Sequence, residues 1–437
     1  MSLNTTAESA VKKDIVYNNN LTREKLILRY KEVRIFSIKL CETLNTEDFV
    51  IQSMPDASPV KWHLAHTTWF WEAFVLKEVY KNYKSINPQF NYLFNSYYIQ
   101  VGERFSRPHR GLLSRPTVKE VMEYREYVDE NMQRFLETAD DKEIAAVAVT
   151  IDIGLNHEQQ HQELILTDVK HMLSINPLYP VFKKRNEYET NDPGALNWIN
   201  INEGIYEIGY KGKKFFYDNE KPVHKTYVPN FTLASRLTTN KEYIEFIEDG
   251  GYSKPEFWLS NGIAAVETEK WKAPLYWEKR DGKWYNFTLS GFREVILSEP
   301  VTHISFYEAE AFSQWSGCRL PTESEWEIAS QNLLVEGNFV DSGKLHPVPL
   351  NPENAGKLGQ MFGDVWEWTR SDYAPYPGYK IPPGAIGEYN GKFMSGQIVL
   401  RGGSCATSKS HIRNTYRNFF PHNARWQFSG IRLAKNN

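Results

Sequence analysis

The segment Asn156-His157-Glu158-Gln159-Gln160-His161-Gln162-Glu163 carries two histidines four residues apart. On a helix of 3.6 residues per turn these positions lie on one face, where two imidazoles can take neighbouring positions on one metal ion. Ile153, His157, His161, Leu164 and Asp168 share that face between apolar flanks, so the pair is expected to look inward. Buried imidazoles without partners are unfavourable, and a shared ion relieves them. A second histidine pair stands upstream in Trp62-His63-Leu64-Ala65-His66, and spacing does not choose between His63 and His66 as a third donor. Three neutral imidazoles leave the ion's charge uncompensated and several positions open, which suits turnover better than structural zinc. Ligand type does not separate Fe(II) from Zn(II).

The same residues admit another chemistry. His157-Glu158-Gln159-Gln160-His161 satisfies the H-E-x-x-H pattern of zinc peptidases, with Glu158 as general base. The longer metzincin form needs glycine at 164 and histidine at 167, where this chain has Leu164 and Thr167. A non-catalytic binding module is a third possibility.

The elements that must position these residues come in two styles. The first part reads as helices. Leu21 to Leu44 repeats Leu26, Tyr30, Val33, Phe36 and Leu40 on one face. Pro59 opens a second helix, to about Lys81; a third spans Thr117 to Ala139 and a fourth Lys142 to about Ile175. A long polar loop, Asn82 to Pro116, separates the second from the third. Four such helices suggest an up-down bundle with a site in its core. Beyond the proline cluster of Asn176 to Asn197 the text changes to glycine, tryptophan and short alternating runs, with helical pieces near Thr239–Asp249, Ser305–Ser316 and Ser324–Ser330. This predicts two domains, one α and one α+β: a flexible N-terminus over 1–20, a bundle over 21–180, a linker over 181–198 and a second domain over 199–437.

With 51 basic and 54 acidic residues, net −3, charge gives no reason to expect nucleic acid or an anionic membrane as partner. Three scattered cysteines, Cys41, Cys318 and Cys405, fit free thiols of a reducing, cytoplasmic setting. No run approaches the roughly 18 to 20 apolar residues that cross a bilayer.

The motifs together resemble the non-haem iron sulfoxide synthases of ergothioneine and ovothiol biosynthesis. The bundle is similar to the DinB type, carrying Trp62-His63-Leu64-Ala65-His66 and His157-x-x-x-His161-x-Glu163. The second domain resembles the formylglycine-generating-enzyme (C-type-lectin-like) fold, marked by Arg319-Leu320-Pro321-Thr322-Glu323-Ser324-Glu325-Trp326-Glu327, Gly363-Asp364-Val365-Trp366-Glu367-Trp368 and Arg401-Gly402-Gly403-Ser404. The resemblance implies Fe(II) held by His66, His157 and His161, with O2 as co-substrate. The implied reaction joins a cysteine sulfur to the imidazole of hercynine as a sulfoxide. Histidine, γ-glutamylcysteine or selenium-containing substrates are the variants within the family. Formylglycine generation depends on active-site cysteines, and Cys405 is expected to be a packing residue instead.

Further roles follow from the same resemblance. Gln160 is expected to contact the substrate imidazole, Asn418 its carboxylate, and Phe419 its trimethylammonium group. Phe420 stands where enzymes using γ-glutamylcysteine carry an acidic residue. Of the loop arginines Arg104, Arg107 and Arg110, the first two are the expected thiol-binding pair. The branch using γ-glutamylcysteine has a catalytic tyrosine around Ala385 to Gly387; this chain has none there, though Tyr389 is close. Asn95-Ser96-Tyr97-Tyr98 instead matches the branch using free cysteine, making Tyr97 and Tyr98 the expected proton donors.

Overall fold

The structure, a computed structural model, describes residues 23–185, 192–354 and 356–436. The expected flexible stretch 1–20 and the middle of the expected linker lie outside the described residues. The amino-terminal part is helical: α1 (Arg23–Lys39), α2 (Val60–Trp71), a short α3 (Phe90–Phe94), α4 (Val118–Thr138) and the 34-residue α5 (Asp141–Ser174). Local chemistry sets several of these ends. Thr117 and Asp140 each accept a backbone N–H three residues on, while Glu120 and Glu143 reach back, closing capping boxes on α4 and α5. Pro59 caps α2, which continues through a π-helical turn, Glu72–Leu76, to Val79. α1 ends five residues before the expected Leu44, and the long loop contains α3 and two 3-10 turns, Ile99–Val101 and Arg107–Leu112.

The carboxy-terminal part mixes short helices with four small sheets among the described residues. Strands β1 (Trp198–Ile201), β4 (Phe231–Ala234) and β12 (Ala434–Asn436) form one sheet, in the order β1-β4-β12. Strands β8 (Trp366–Asp372), β9 (Gln397–Arg401), β10 (Asn418–Pro421) and β11 (Ser429–Gly430) form another, in the order β10-β9-β8-β11, antiparallel except β8 with β11. Two hairpin sheets complete the set: β2 (Gly204–Ile208) with β3 (His224–Val228), and β5 (Trp277–Arg280), β6 (Lys283–Thr288) and β7 (Gly291–Glu294). The helices α6 (Asn240–Glu248), α8 (Phe306–Trp315) and α9 (Glu323–Ser330) fall where expected, each opened by a Ser/Thr-x-x-Glu box. The unanticipated α7 (Ser260–Glu269) has no capping side chain at Leu259 and contains Gly262, which lets Tyr307 approach closely.

Helix α5 is the joint between the two parts. It packs on α1 and α2, and its outer side meets the sheet region. There Trp366 Nε1, Ser404 Oγ and Thr407 Oγ1 donate to the buried Glu163 carboxyl at 2.7, 2.7 and 2.8 Å. Burial raises the pKa of Glu163, and these three donors pull it partly back. The buried apolar residues of both parts join into one core. No helix among the described residues is long and apolar enough to cross a membrane.

Candidate metal centre

His66 on α2 and His157 and His161 on α5 each present a nitrogen to one point, the three atoms lying within 4.8 Å of one another. His66 Nε2 and His157 Nε2 are 3.2 Å apart. Two nitrogens about 2.1 Å from a common ion and at cis angles stand roughly 3.0 to 3.4 Å from each other, so the spacing fits. His66 Nδ1 donates to Phe94 O at 2.5 Å, leaving its Nε2 lone pair for the cluster. Burial, then neighbouring imidazole, pushes the pKa of His66 and His161 well below the ordinary value, and burial pushes His157 down to about 3. Neutral imidazoles with converging lone pairs are the form that binds a metal ion. His66 and His157 are 0% and 2% exposed and His161 9%, so the whole cluster is buried.

His63 takes no place in the triad. Its Nδ1 lies 2.8 Å from His161 Nδ1 and its Nε2 3.0 Å from Asp168 Oδ2. Glu158 is turned away from the triad. Arg34 Nη1 and Arg125 Nη2 donate to its carboxylate at 3.0 and 2.5 Å, and Ser37 Oγ and Trp71 Nε1 complete the shell. Burial raises its pKa, but the two guanidinium groups outweigh this and hold it at about 2. That corrects the peptidase alternative: a carboxylate with every lone pair engaged by Arg34, Arg125, Ser37 and Trp71 has none left to act as a general base.

Gln160 stands at the junction with the carboxy-terminal part. Its Nε2 donates to Tyr416 Oη at 2.6 Å and its Oε1 accepts from Tyr389 Oη. Tyr389 is buried with its ring 5.7 Å from that of His157. Tyr97 and Tyr98 pack together at 4.5 Å, and Tyr97 contacts Tyr389 and Phe393 at 6.2 and 5.4 Å. Burial raises the pKa of all three phenols. Phe419 stacks on Tyr373 at 4.0 Å and faces Phe393 at 5.9 Å. Asn418 Oδ1 accepts from Phe419 N–H at 3.0 Å, and Phe420 meets Trp426 at 6.0 Å.

The loop arginines divide by environment. Arg104 and Arg107 are exposed, and Arg107 donates to Asp56 O. Arg110 is buried, its guanidinium 3.3 Å over the Trp62 ring, which stacks on His66. It donates to Ser58 Oγ and Ser96 Oγ at 2.9 and 3.2 Å, and its buried Nε has no hydrogen-bond partner. Spacing in the sequence marked the arginine cluster but not which member turns inward. Tyr389 stands close to the Ala385 to Gly387 segment where the other branch has its catalytic tyrosine, whereas Tyr416 carried no local signal. Cys405 is buried with its pKa raised by burial, as befits a packing residue.

Comparison with known proteins agrees with this architecture. Residues 184–437 match the family described as the sulfatase-modifying factor enzyme 1-like domain, and residues 30–165 the DinB superfamily. A hercynine oxygenase of Mycolicibacterium smegmatis is 30% identical over 412 residues, covering 88% of this chain and 92% of that protein. One from Mycobacterium tuberculosis is 31% identical, covering 64% and 70%. Ergothioneine biosynthesis protein 1 of Schizosaccharomyces pombe is 27% identical, covering 54% of this chain and 29% of its own length. With both parts matched in order and the likeness running through nearly the whole length of a relative, the chain belongs to the hercynine oxygenase family.

Proposed function

We propose that the chain is an Fe(II)- and O2-dependent sulfoxide synthase that joins the sulfur of cysteine to the imidazole of hercynine. The observation that carries this reading is the meeting of His66, His157 and His161 beside a tyrosine-rich seam between the two parts. Bound there, Fe(II) would supply the reactivity toward O2 and the open positions that a sulfur and an imidazole need.

The chain's own residues do the rest. Gln160 orients the substrate imidazole: its amide is satisfied by Tyr389 and Tyr416, and exchanging one phenol for a substrate nitrogen keeps it so. The Phe419–Tyr373 pair offers ring faces to the trimethylammonium group, attracted through the aromatic quadrupole. Asn418 is the candidate for the hercynine carboxylate, with Phe420 beside it on β10. Arg110, a buried guanidinium held by the Ser58 and Ser96 hydroxyls and the Trp62 ring with its Nε unpartnered, is ready for the carboxylate of the thiol substrate. Arg104 and Arg107 on the same loop are candidates for its outer end. Tyr97 and Tyr98 stay protonated because burial raises their pKa, so they act as donors rather than bases.

The test is anaerobic Fe(II) reconstitution followed by oxygen uptake and mass spectrometry with hercynine plus cysteine or γ-glutamylcysteine. The expected result is oxygen uptake and a C–S sulfoxide only when hercynine and thiol are both present, faster with cysteine. Zinc retention with no oxygen uptake overturns the reading; a preference for γ-glutamylcysteine overturns the choice of thiol.

A further inference from the structure

The three imidazoles of the triad are held from behind in three different ways. His66 Nδ1 donates to a backbone carbonyl, Phe94 O. His157 Nδ1 is buried and has no hydrogen-bond partner. His161 Nδ1 meets a third kind of support, the ring of His63 at 2.8 Å, and His63 in turn meets Asp168 Oδ2 at 3.0 Å. Asp168 is itself fixed, because Ser58 N–H donates to the same oxygen at 2.8 Å. His63, His161, Asp168 and Ser58 are all buried.

The direction of these bonds follows from what each atom can do. A carboxylate oxygen accepts, so His63 Nε2 carries the proton. The neutral ring then has its lone pair on Nδ1, which accepts from His161. His161 therefore carries its own proton on Nδ1 and leaves Nε2 bare toward His66 and His157. We propose that Asp168 and His63 form a positioning relay that fixes the tautomer and ring plane of His161 and makes it the strongest donor of the three metal ligands.

The relay is interlaced between two helices. α5 supplies the ligand His161 and, two turns further along the same face, the anchor Asp168; α2 supplies His63 between them, one turn before the ligand His66. Negative charge felt through a hydrogen-bonded imidazole raises the basicity of the ligand, and removing such outer partners weakens metal binding without abolishing it. Both nitrogens of His63 are engaged, so it has none left for the ion. Asp168 also reaches the arginine loop, since the residue it holds, Ser58, accepts from Arg110 at 2.9 Å.

This inference rests on the metal reading above, and the experiment separates the two. Metal-free protein is titrated with Co(II), following the visible absorption bands, and with Fe(II) against a competing chelator under anaerobic conditions. His63→Leu and Asp168→Asn are expected to weaken binding roughly 10- to 100-fold and to shift the Co(II) bands. His63→Asn, whose amide oxygen takes the place of Nδ1 and still accepts from His161, is expected to lose less than His63→Leu. His66→Ala is expected to bind no metal. Affinity in His63→Leu within about twofold of the unaltered protein overturns the relay, and so does a loss as complete as in His66→Ala, which would make His63 a ligand. If His63→Leu fails to fold, His63→Asn and Asp168→Asn carry the same comparison. Failure of the unaltered protein to bind either metal overturns the metal reading itself, and the relay with it.

Discussion

Glu158 shows how one residue decides between two chemistries that share a pattern. In the sequence it completes H-E-x-x-H; in the fold it is the counter-charge of Arg34 and Arg125. Removing one partner of a buried ion pair leaves the other uncompensated, so Glu158→Gln is expected to destabilise the protein by about 3 to 5 kcal/mol, measured by urea denaturation. A catalytic base would give lost turnover at unchanged stability. The histidines make a second prediction. A buried His157 with its pKa at about 3, against about 6.5 unfolded, means the unfolded chain takes up the proton first. Stability of the metal-free protein is therefore full above pH 6.5 and falls as the pH drops toward 3, by about 1.4 kcal/mol per pH unit for this histidine alone. A denaturation midpoint independent of pH between 7 and 5 would contradict it. The i,i+4 histidines and Asp168 on their face were legible because helical periodicity is local. The choice of His66 over His63 was not, since it depends on which ring meets Phe94 and which meets Asp168.

Helix α5 holds most of the chemistry, and its register against α2 is set by Gly154. A Cβ there would stand 2.7 Å from the Trp71 ring and 3.0 Å from Phe70. In an isolated helix alanine beats glycine by about 1 kcal/mol. Here the sign reverses: Gly154→Ala is expected to destabilise by about 1 to 3 kcal/mol through overpacking. By pushing the helices apart it should also weaken metal binding, since His157 lies one turn further on. Calorimetry and a Co(II) titration of the same variant check both. The helices themselves were readable from periodicity and capping boxes, as α4 and α5 illustrate. Helix α7 was missed because it lacks a cap and includes a glycine. The helical turns inside the long loop were missed because they are held by distant contacts and by Asn95, whose side chain bonds Tyr98 N, Tyr98 O and Gly102 O.

The seam between the two parts is where the sequence was silent, because its contacts join residues hundreds of positions apart. The turn around Glu388 and Tyr389 makes two of them. Tyr389 binds Gln160, and Glu388 accepts from the backbone N–H groups of Ile99 and Gln100 at 2.9 Å each, just past Tyr97 and Tyr98. Lys392 adds a bond to Tyr97 O and a 3.0 Å pair with Glu388. The carboxy-terminal part thus grips the loop that carries the tyrosines while resting on the helix that carries the histidines. Hydrogen bonds to a charged acceptor contribute about 1.5 to 3 kcal/mol, so Glu388→Ala is expected to raise amide exchange at Ile99 and Gln100 by roughly one to two orders of magnitude. Metal affinity should stay unchanged, because among the described residues Glu388 bonds only Lys392 and the Ile99 and Gln100 amides, none of which belongs to the triad. Turnover should fall as the tyrosine loop spends more of its time released. Unchanged exchange at those two amides would mean that the loop is ordered by Asn95 alone, and that the two halves of the molecule meet there without holding each other.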